Sequence, residues 1–262
     1  MDFSQLLLEE RRRLCDANRS KTPTVARTKL LSKPKEPGVF LHQGQLNFWT
    51  KRSPIDIEVF SKDSIPGLYY IPDYITHNEE VAIVNRVYAV PVDNDRWVKL
   101  KHRRLQLWGG EVATSEDPKT LPEWLEQISE SLVDATFFNK ENKPNHVLIN
   151  EYGKGDYILP HEDGPAYCPL VAILSTGAEC RVKFERHRAT NGIANNRFEG
   201  TEFINFQLER RSLLVFTREA YTSYLHSIDN VLEGTRISLT LRHQELEKGL
   251  EKEAHERQLK HV

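Results

Sequence analysis

His161 and Asp163 stand one position apart in "LPHEDGPAY" (159–167), after an apolar run and before a Gly-Pro turn. At the end of a β-strand, positions i and i+2 point the same way, so this imidazole and carboxylate could grip one ion. A chain with ten histidines can hold such a pair by chance, so the useful question is whether a third ligand exists. "YLHSID" supplies His226 on another run of strand character. Two imidazoles and one carboxylate fill three neighbouring positions of an octahedral Fe(II) and leave three open. A bidentate 2-oxo acid can take two of these, and O2 the third. The far carboxylate of that acid then needs a cation, which Arg236 could supply in bidentate fashion.

Two further strands bear on that anion. In "TRISLTLR" (235–242), Ile237, Leu239 and Leu241 share one face, and Arg236, Ser238, Thr240 and Arg242 share the other. The polar face is either solvated or the wall of a pocket. In "NHVLINEY" (145–152), Asn150 and Tyr152 share a face, and an amide and a phenol can both donate to a carboxylate. The alternative is an ordinary polar strand face.

These residues need a scaffold, and the chain from 145 onward reads as one. Short apolar or alternating runs follow in succession, most of them separated by turn residues, which suggests an antiparallel sandwich or jelly roll. A polar loop interrupts them at 186–200. Upstream, "GLYYIPDYITHNEEVAIVNRVYAV" (67–90) predicts a strand at Tyr69 to Ile71, then a helix opened by a Thr76/Glu79 capping box. A second helix is expected over 121–135, with Trp124, Ile128 and Leu132 spaced four apart. The segment 96–112 between them is strand-like and basic and ends near a Gly109-Gly110 turn. The expected fold is α+β and β-rich, with flanking helices. Residues 1–60 read as an N-terminal helix and linker, 61–243 as the folded domain, and 244–262 as a charged tail with Leu246, Leu250 and Ala254 on one stripe.

Bulk properties narrow the class. The 262 residues carry 36 Lys and Arg against 38 Asp and Glu, a formal charge of −2. Any nucleic-acid contact must therefore come from a local patch. Residues 1–36 hold nine basic against five acidic residues, either a solvated tail or an arm for phosphates or a transport receptor. Three scattered cysteines, Cys15, Cys168 and Cys180, argue against a disulfide framework and fit a reducing compartment. The opening apolar run is too short for a secretory signal, and no stretch approaches the roughly 20 apolar residues of a membrane span. The expected location is cytoplasmic and nuclear, without membrane attachment. No Gly-x-Ser-x-Gly elbow or phosphate-binding loop is present.

With Asn150-Glu-Tyr152, His161-Glu-Asp163, His226 and Arg236-x-Ser-x-Thr-x-Arg242 in order, residues 67–243 resemble the AlkB family of Fe(II)/2-oxoglutarate-dependent dioxygenases. "PHEDGPAYCP", "LQLWGG", "PNHVLINEY" and "GTRISLTLR" are most similar to one group of AlkB homologues of animals and plants. Related prolyl hydroxylases share the metal triad but commonly carry Lys at the anion position and lack the second arginine. The resemblance implies a double-stranded β-helix with the metal between two sheets. It implies Fe(II) on His161, Asp163 and His226, 2-oxoglutarate on Asn150, Tyr152 and Arg236, and Arg242 closing the pocket. Ser238 stands where some members carry Asn, a shorter side chain without an amide. The implied reaction consumes O2 and 2-oxoglutarate, releases succinate and CO2, and hydroxylates a C–H bond. On an N-methyl group the product collapses to formaldehyde. Because both histidines must be neutral to ligate, activity is expected to fall in acid.

Methylated single- or double-stranded nucleic acid is the leading substrate class. Arg103, Arg104 and Trp108 lie where the family builds a substrate lid, with Arg96, Lys99, Lys101 and Trp97 beside them; snorkelling cations on a half-buried strand are the alternative. Arg181, Lys183, Arg186, Arg188 and Arg197 form a second basic segment or a solvated insertion. Tyr167 either stacks on a flipped base or packs the barrel mouth. Two other functions use the same residues differently: a protein side-chain oxygenase, or a nucleic-acid-binding protein with little catalytic activity. The charged tails suit a protein partner.

Overall fold

The computed structural model describes residues 49–110, 120–187 and 203–245. The expected N-terminal helix and basic arm, most of the 186–200 loop with Arg188 and Arg197, and the C-terminal stripe lie outside the described residues. After a 3-10 turn at Ile57–Phe60 come β1 (Leu68–Ile71), α1 (His77–Tyr88), β2 (Val98–Lys99), β3 (Arg104–Gly109), α2 (Glu123–Asp134) and β4 (His146–Tyr152). Then follow β5 (Ile158–His161), β6 (Tyr167–Gly177), β7 (Cys180–Arg186), β8 (Phe203–Leu208), β9 (Leu213–Thr217), α3 (Arg218–Thr222), β10 (Tyr224–Ile228) and β11 (Arg236–Gln244).

The strands form a seven-stranded sheet, β1-β9-β6-β11-β4-β3-β2, and a four-stranded sheet, β5-β10-β7-β8. Each strand pair is antiparallel, as expected of a jelly roll. Alternation divides the large sheet into two faces. Ile149, Leu174, Val215, Ile237, Leu239 and Leu241 pack toward Ile83, Val87, Leu125, Ile128 and Leu132 of α1 and α2. The opposite face, with Leu105, Leu148, Tyr152, Ile173 and Phe216, packs on Val182, Phe184 and Ile228 of the small sheet. The polar side chains of β11 lie on that second face. Both faces of β11 are therefore buried, and its polar face is not solvated.

The folded unit begins before position 61 and extends past 243. Arg52 bonds both carboxylate oxygens of Glu79, and the Ile55 N–H donates to the Ala135 carbonyl at 3.2 Å. Residues 49–60, placed in the linker by sequence, are packed on α1 and α2. At the other end, the Glu245 N–H donates to the Ala166 carbonyl. Gly109 and Gly110 end β3 with φ of +72° and +69°, a region that side chains with a Cβ rarely adopt. A Cβ at Gly110 would meet the Gln244 amide oxygen at 2.1 Å, so this turn lets β3 close against the end of β11.

Candidate metal and co-substrate site

Strand register brings the two histidines together. His161 on β5 and His226 on β10 are direct cross-strand partners, and their ring centroids are 4.2 Å apart. Both point inward, away from the outer face of the small sheet. Leu159 and Pro160 precede His161 on an edge strand, the sheet position that tolerates a proline. Asp163 follows just past the strand end, with its Oδ2 3.9 Å from the His226 Nε2.

The protonation pattern suits metal binding. His161 Nδ1 is 2.8 Å from the Leu159 carbonyl. A carbonyl only accepts, so Nδ1 carries the proton and Nε2 keeps its lone pair. Burial, the His226 charge and Arg103 hold the His161 pKa down at about 3, although Asp163 opposes them. Burial likewise lowers His226. Burial alone would raise the Asp163 carboxyl, but Arg242 and the two histidines hold it below the usual range. Arg242 bonds Oδ1, while Oδ2 is buried without a hydrogen-bond partner. Two neutral imidazoles and a carboxylate oxygen lacking a partner are a donor set that Fe(II) fits. Among the described residues, no three His, Cys, Asp or Glu side chains are already closed into a tight cluster.

The large sheet supplies the opposite wall. In register, Tyr152 pairs with Arg236, Asn150 with Ser238, and His146 with Arg242. On the other side of β11, Ser238 pairs with Ser175 of β6. Arg236 is 1 % exposed. Its guanidinium lies 5.5 Å from the Tyr152 ring and donates to Ser175 Oγ at 3.0 Å, while Nε has no partner. No carboxylate among the described residues pairs with it. A buried cation of this kind calls for an anion. Asn150, Tyr152, His161, Asp163, His226, Arg236, Ser238 and Thr240 line one cavity of about 30 Å³. That is room for about one water, so the lining side chains must shift to admit a dicarboxylate. A far larger cleft, about 1190 Å³ on the outer side of the small sheet, contains none of the triad.

The four residues expected to touch substrate separate. Arg104 and Trp108 pair in register with Glu151 and Val147, on the helix-facing side of the large sheet. Arg104 makes two bonds to Glu151, at 2.7 and 2.8 Å, and lies 4.2 Å from the Trp97 ring. Trp108 donates to Gln106, and Arg96 covers its ring at 3.8 Å. Strand alternation turns these two away from the cavity, toward the helices. Arg103, two residues before the inward-facing Leu105, is buried and donates to Asn150 Oδ1 at 3.2 Å. Tyr167 stacks on the Arg242 guanidinium at 4.0 Å, so it packs the barrel mouth. Sequence reasoning missed Ser175 and His146. Ser175 is the polar end of an otherwise apolar run. His146 is fully buried beside Arg242, and burial with the Arg242 charge depresses its pKa to about 3.

Comparison with known proteins bears on the family and the fold. The family model for the 2OG-Fe(II) oxygenase superfamily matches residues 96–242. The Danio rerio protein named "Probable RNA/DNA demethylase ALKBH6" is 33 % identical over 219 residues, 72 % of this chain and 91 % of that protein. The Arabidopsis thaliana "Alkylated DNA repair protein ALKBH8 homolog" is 28 % identical over 76 % of this chain and 63 % of that protein. The solved structure of OsALKBH1 superposes with a TM-score of 0.53 at 14 % identity, covering 68 % of this chain and 98 % of that one.

Proposed function

The chain belongs to the 2OG-Fe(II) oxygenase superfamily and is AlkB-like, so it is an Fe(II)/2-oxoglutarate-dependent dioxygenase, and we propose that it oxidatively demethylates methylated nucleic acid. The observation that carries the site assignment is the pairing of two unmet needs across one cavity: a carboxylate oxygen without a partner on Asp163, and a guanidinium without a carboxylate on Arg236.

His161 Nε2, Asp163 Oδ2 and His226 Nε2 would hold Fe(II). Arg236 would exchange its Ser175 bond for the distal carboxylate of 2-oxoglutarate, with Tyr152, Asn150 and Ser238 beside it. Arg242 keeps one Asp163 oxygen occupied, which aims the other at the two imidazoles. When bound, iron with 2-oxoglutarate and O2 supplies the oxidising power for C–H hydroxylation, with release of succinate and CO2. The apolar neighbours Phe184 and Phe216 pack against the His226 ring and keep water from it.

The demethylase reading is supported by the names of the two relatives, one an RNA/DNA demethylase and one an alkylated-DNA repair protein. With Arg104 and Trp108 facing the helices, contact with phosphates falls to other surface cations, of which Arg181 and Arg186 are exposed. Cys168 and Cys180 are thiols and not a disulfide, which suits a reducing compartment such as the cytoplasm or nucleus.

The test measures succinate and formaldehyde together over methylated single-stranded DNA, RNA and peptides, with Fe(II), 2-oxoglutarate and an Asp163→Asn control. Formaldehyde that tracks one nucleic acid and disappears in the control is expected. Succinate with a peptide hydroxylated and no formaldehyde would replace this reading with a protein oxygenase. Salt-sensitive oligonucleotide binding without turnover would replace it with a binding protein.

A further inference from the structure

Arg103 lies on no metal ligand, yet it is 4 % exposed and reaches the cavity wall. A tight turn puts it there: the Leu100 N–H donates to the Arg103 carbonyl at 2.8 Å, between β2 and β3. From that turn its Nε donates to the Asn150 side-chain oxygen at 3.2 Å, in a buried contact. An amide could rotate by half a turn and exchange its oxygen and nitrogen. A guanidinium has donors and no acceptor, so the atom facing Arg103 must be the oxygen. The Asn150 NH2 is then the end left for the cavity that Asn150 lines. Ser238, its register partner on β11, carries a hydroxyl that cannot enforce this choice, because a hydroxyl both donates and accepts.

We propose that Arg103 is a positioning residue that locks the Asn150 amide with its NH2 toward the co-substrate, so that Asn150 presents a donor, not an oxygen, to the 2-oxoglutarate anion. The inference rests on the co-substrate site described above. It also replaces the expectation that Arg103 touches the primary substrate. Arg103 acts on affinity through Asn150.

The test is equilibrium binding of 2-oxoglutarate to the Ni(II)-loaded full chain without O2, with melting temperatures alongside. Arg103→Met frees the amide to turn and is expected to weaken binding about tenfold, the scale of one hydrogen bond to a charged group. Arg103→Lys keeps a side chain with donors and no acceptor, and should bind within a fewfold of the wild-type chain. In an Asn150→Ala background, Arg103→Met should have no further effect on affinity, since the group it positions is gone. Equal binding by Arg103→Met and the wild type would overturn the proposal. So would a tenfold loss that persists in the Asn150→Ala background, which would mean direct action on the anion. If Arg103→Met does not fold, Arg103→Lys decides: a tenfold loss there, with a donor-only side chain still in place, overturns the orientation. A wild-type chain that binds no 2-oxoglutarate would overturn the site reading, and this inference with it.

Discussion

Asp163 serves two neighbours at once, and its substitutions should separate them. Oδ1 neutralises Arg242, which is fully buried, and Oδ2 faces His226. Asp163→Ala would strand that arginine, at a cost of roughly 3–5 kcal/mol, and confuse unfolding with loss of metal. Asp163→Asn can still accept from Arg242 but brings no negative charge to the ion. It should fold, lose most Fe(II) affinity, and form no succinate; metal titration against a melting curve checks this. Arg236→Met should weaken 2-oxoglutarate by one to two orders of magnitude, since a charge-assisted bidentate pair is lost, while metal affinity stays near wild type. The two histidines revise the expected acid sensitivity. His161 is depressed to about 3 and is therefore neutral on either side of the ordinary value of 6.5, and burial lowers His226 as well. Metal affinity should therefore change little as pH falls through 6.5 and drop only in stronger acid, as a pH series of metal titrations would show.

At the scale of elements, α1 shows how local chemistry anchors the frame. Thr76 and Glu79 form a reciprocal capping box, and Glu79 also binds Arg52 from the segment before β1. Burial would raise the Glu79 carboxyl, but Arg52 and the Thr76 and Thr50 N–H groups lower it from 4.5 to about 2. A depressed folded-state pKa contributes stability that is complete above 4.5 and is lost as pH falls toward 2. Wild-type stability should decline across that window more steeply than that of Glu79→Gln, read by chemical denaturation at several pH values. Thr76→Ala should cost about 1 kcal/mol. This helix was legible because its cap is written in adjacent residues. That His161, Asp163, His226 and Arg236 meet at one cavity was legible because their types are specific and strand alternation fixes their faces. The direction in which Arg104 and Trp108 face was not legible, because composition reports that a strand is basic and aromatic, whereas register alone says which way it faces. The packing of residues 49–60 was hidden for a similar reason: its contacts are with Glu79 and Ala135, far along the chain.

For the whole molecule, the division of labour between sheets has a thermodynamic consequence. The triad comes from β5, β10 and the residues just after β5, all on the small-sheet side. The proposed anion site of Asn150, Tyr152, Arg236 and Ser238 belongs to the large sheet. A metal alone would tie together elements that β5–β10 pairing already joins. In the proposed site, a 2-oxo acid on that metal would reach Arg236 and so bridge the two layers across their shared core. Ligands that bind only the native state stabilise it by RT ln(1 + [L]/Kd), about 2.7 kcal/mol at one hundred times Kd. At matched saturation this rise is independent of where the ligand binds, so the bridge must be sought in coupling. The metal should tighten 2-oxoglutarate, and by linkage 2-oxoglutarate should tighten the metal by the same factor. Melting curves with Ni(II), with 2-oxoglutarate, and with both should show the pair exceeding the sum of the single shifts. The excess should disappear in both Asp163→Asn and Arg236→Met, which cut the bridge at opposite sheets. Simple addition of the two shifts in the wild-type chain would mean that the ligands occupy separate sites, and that the cavity between the sheets does not hold both.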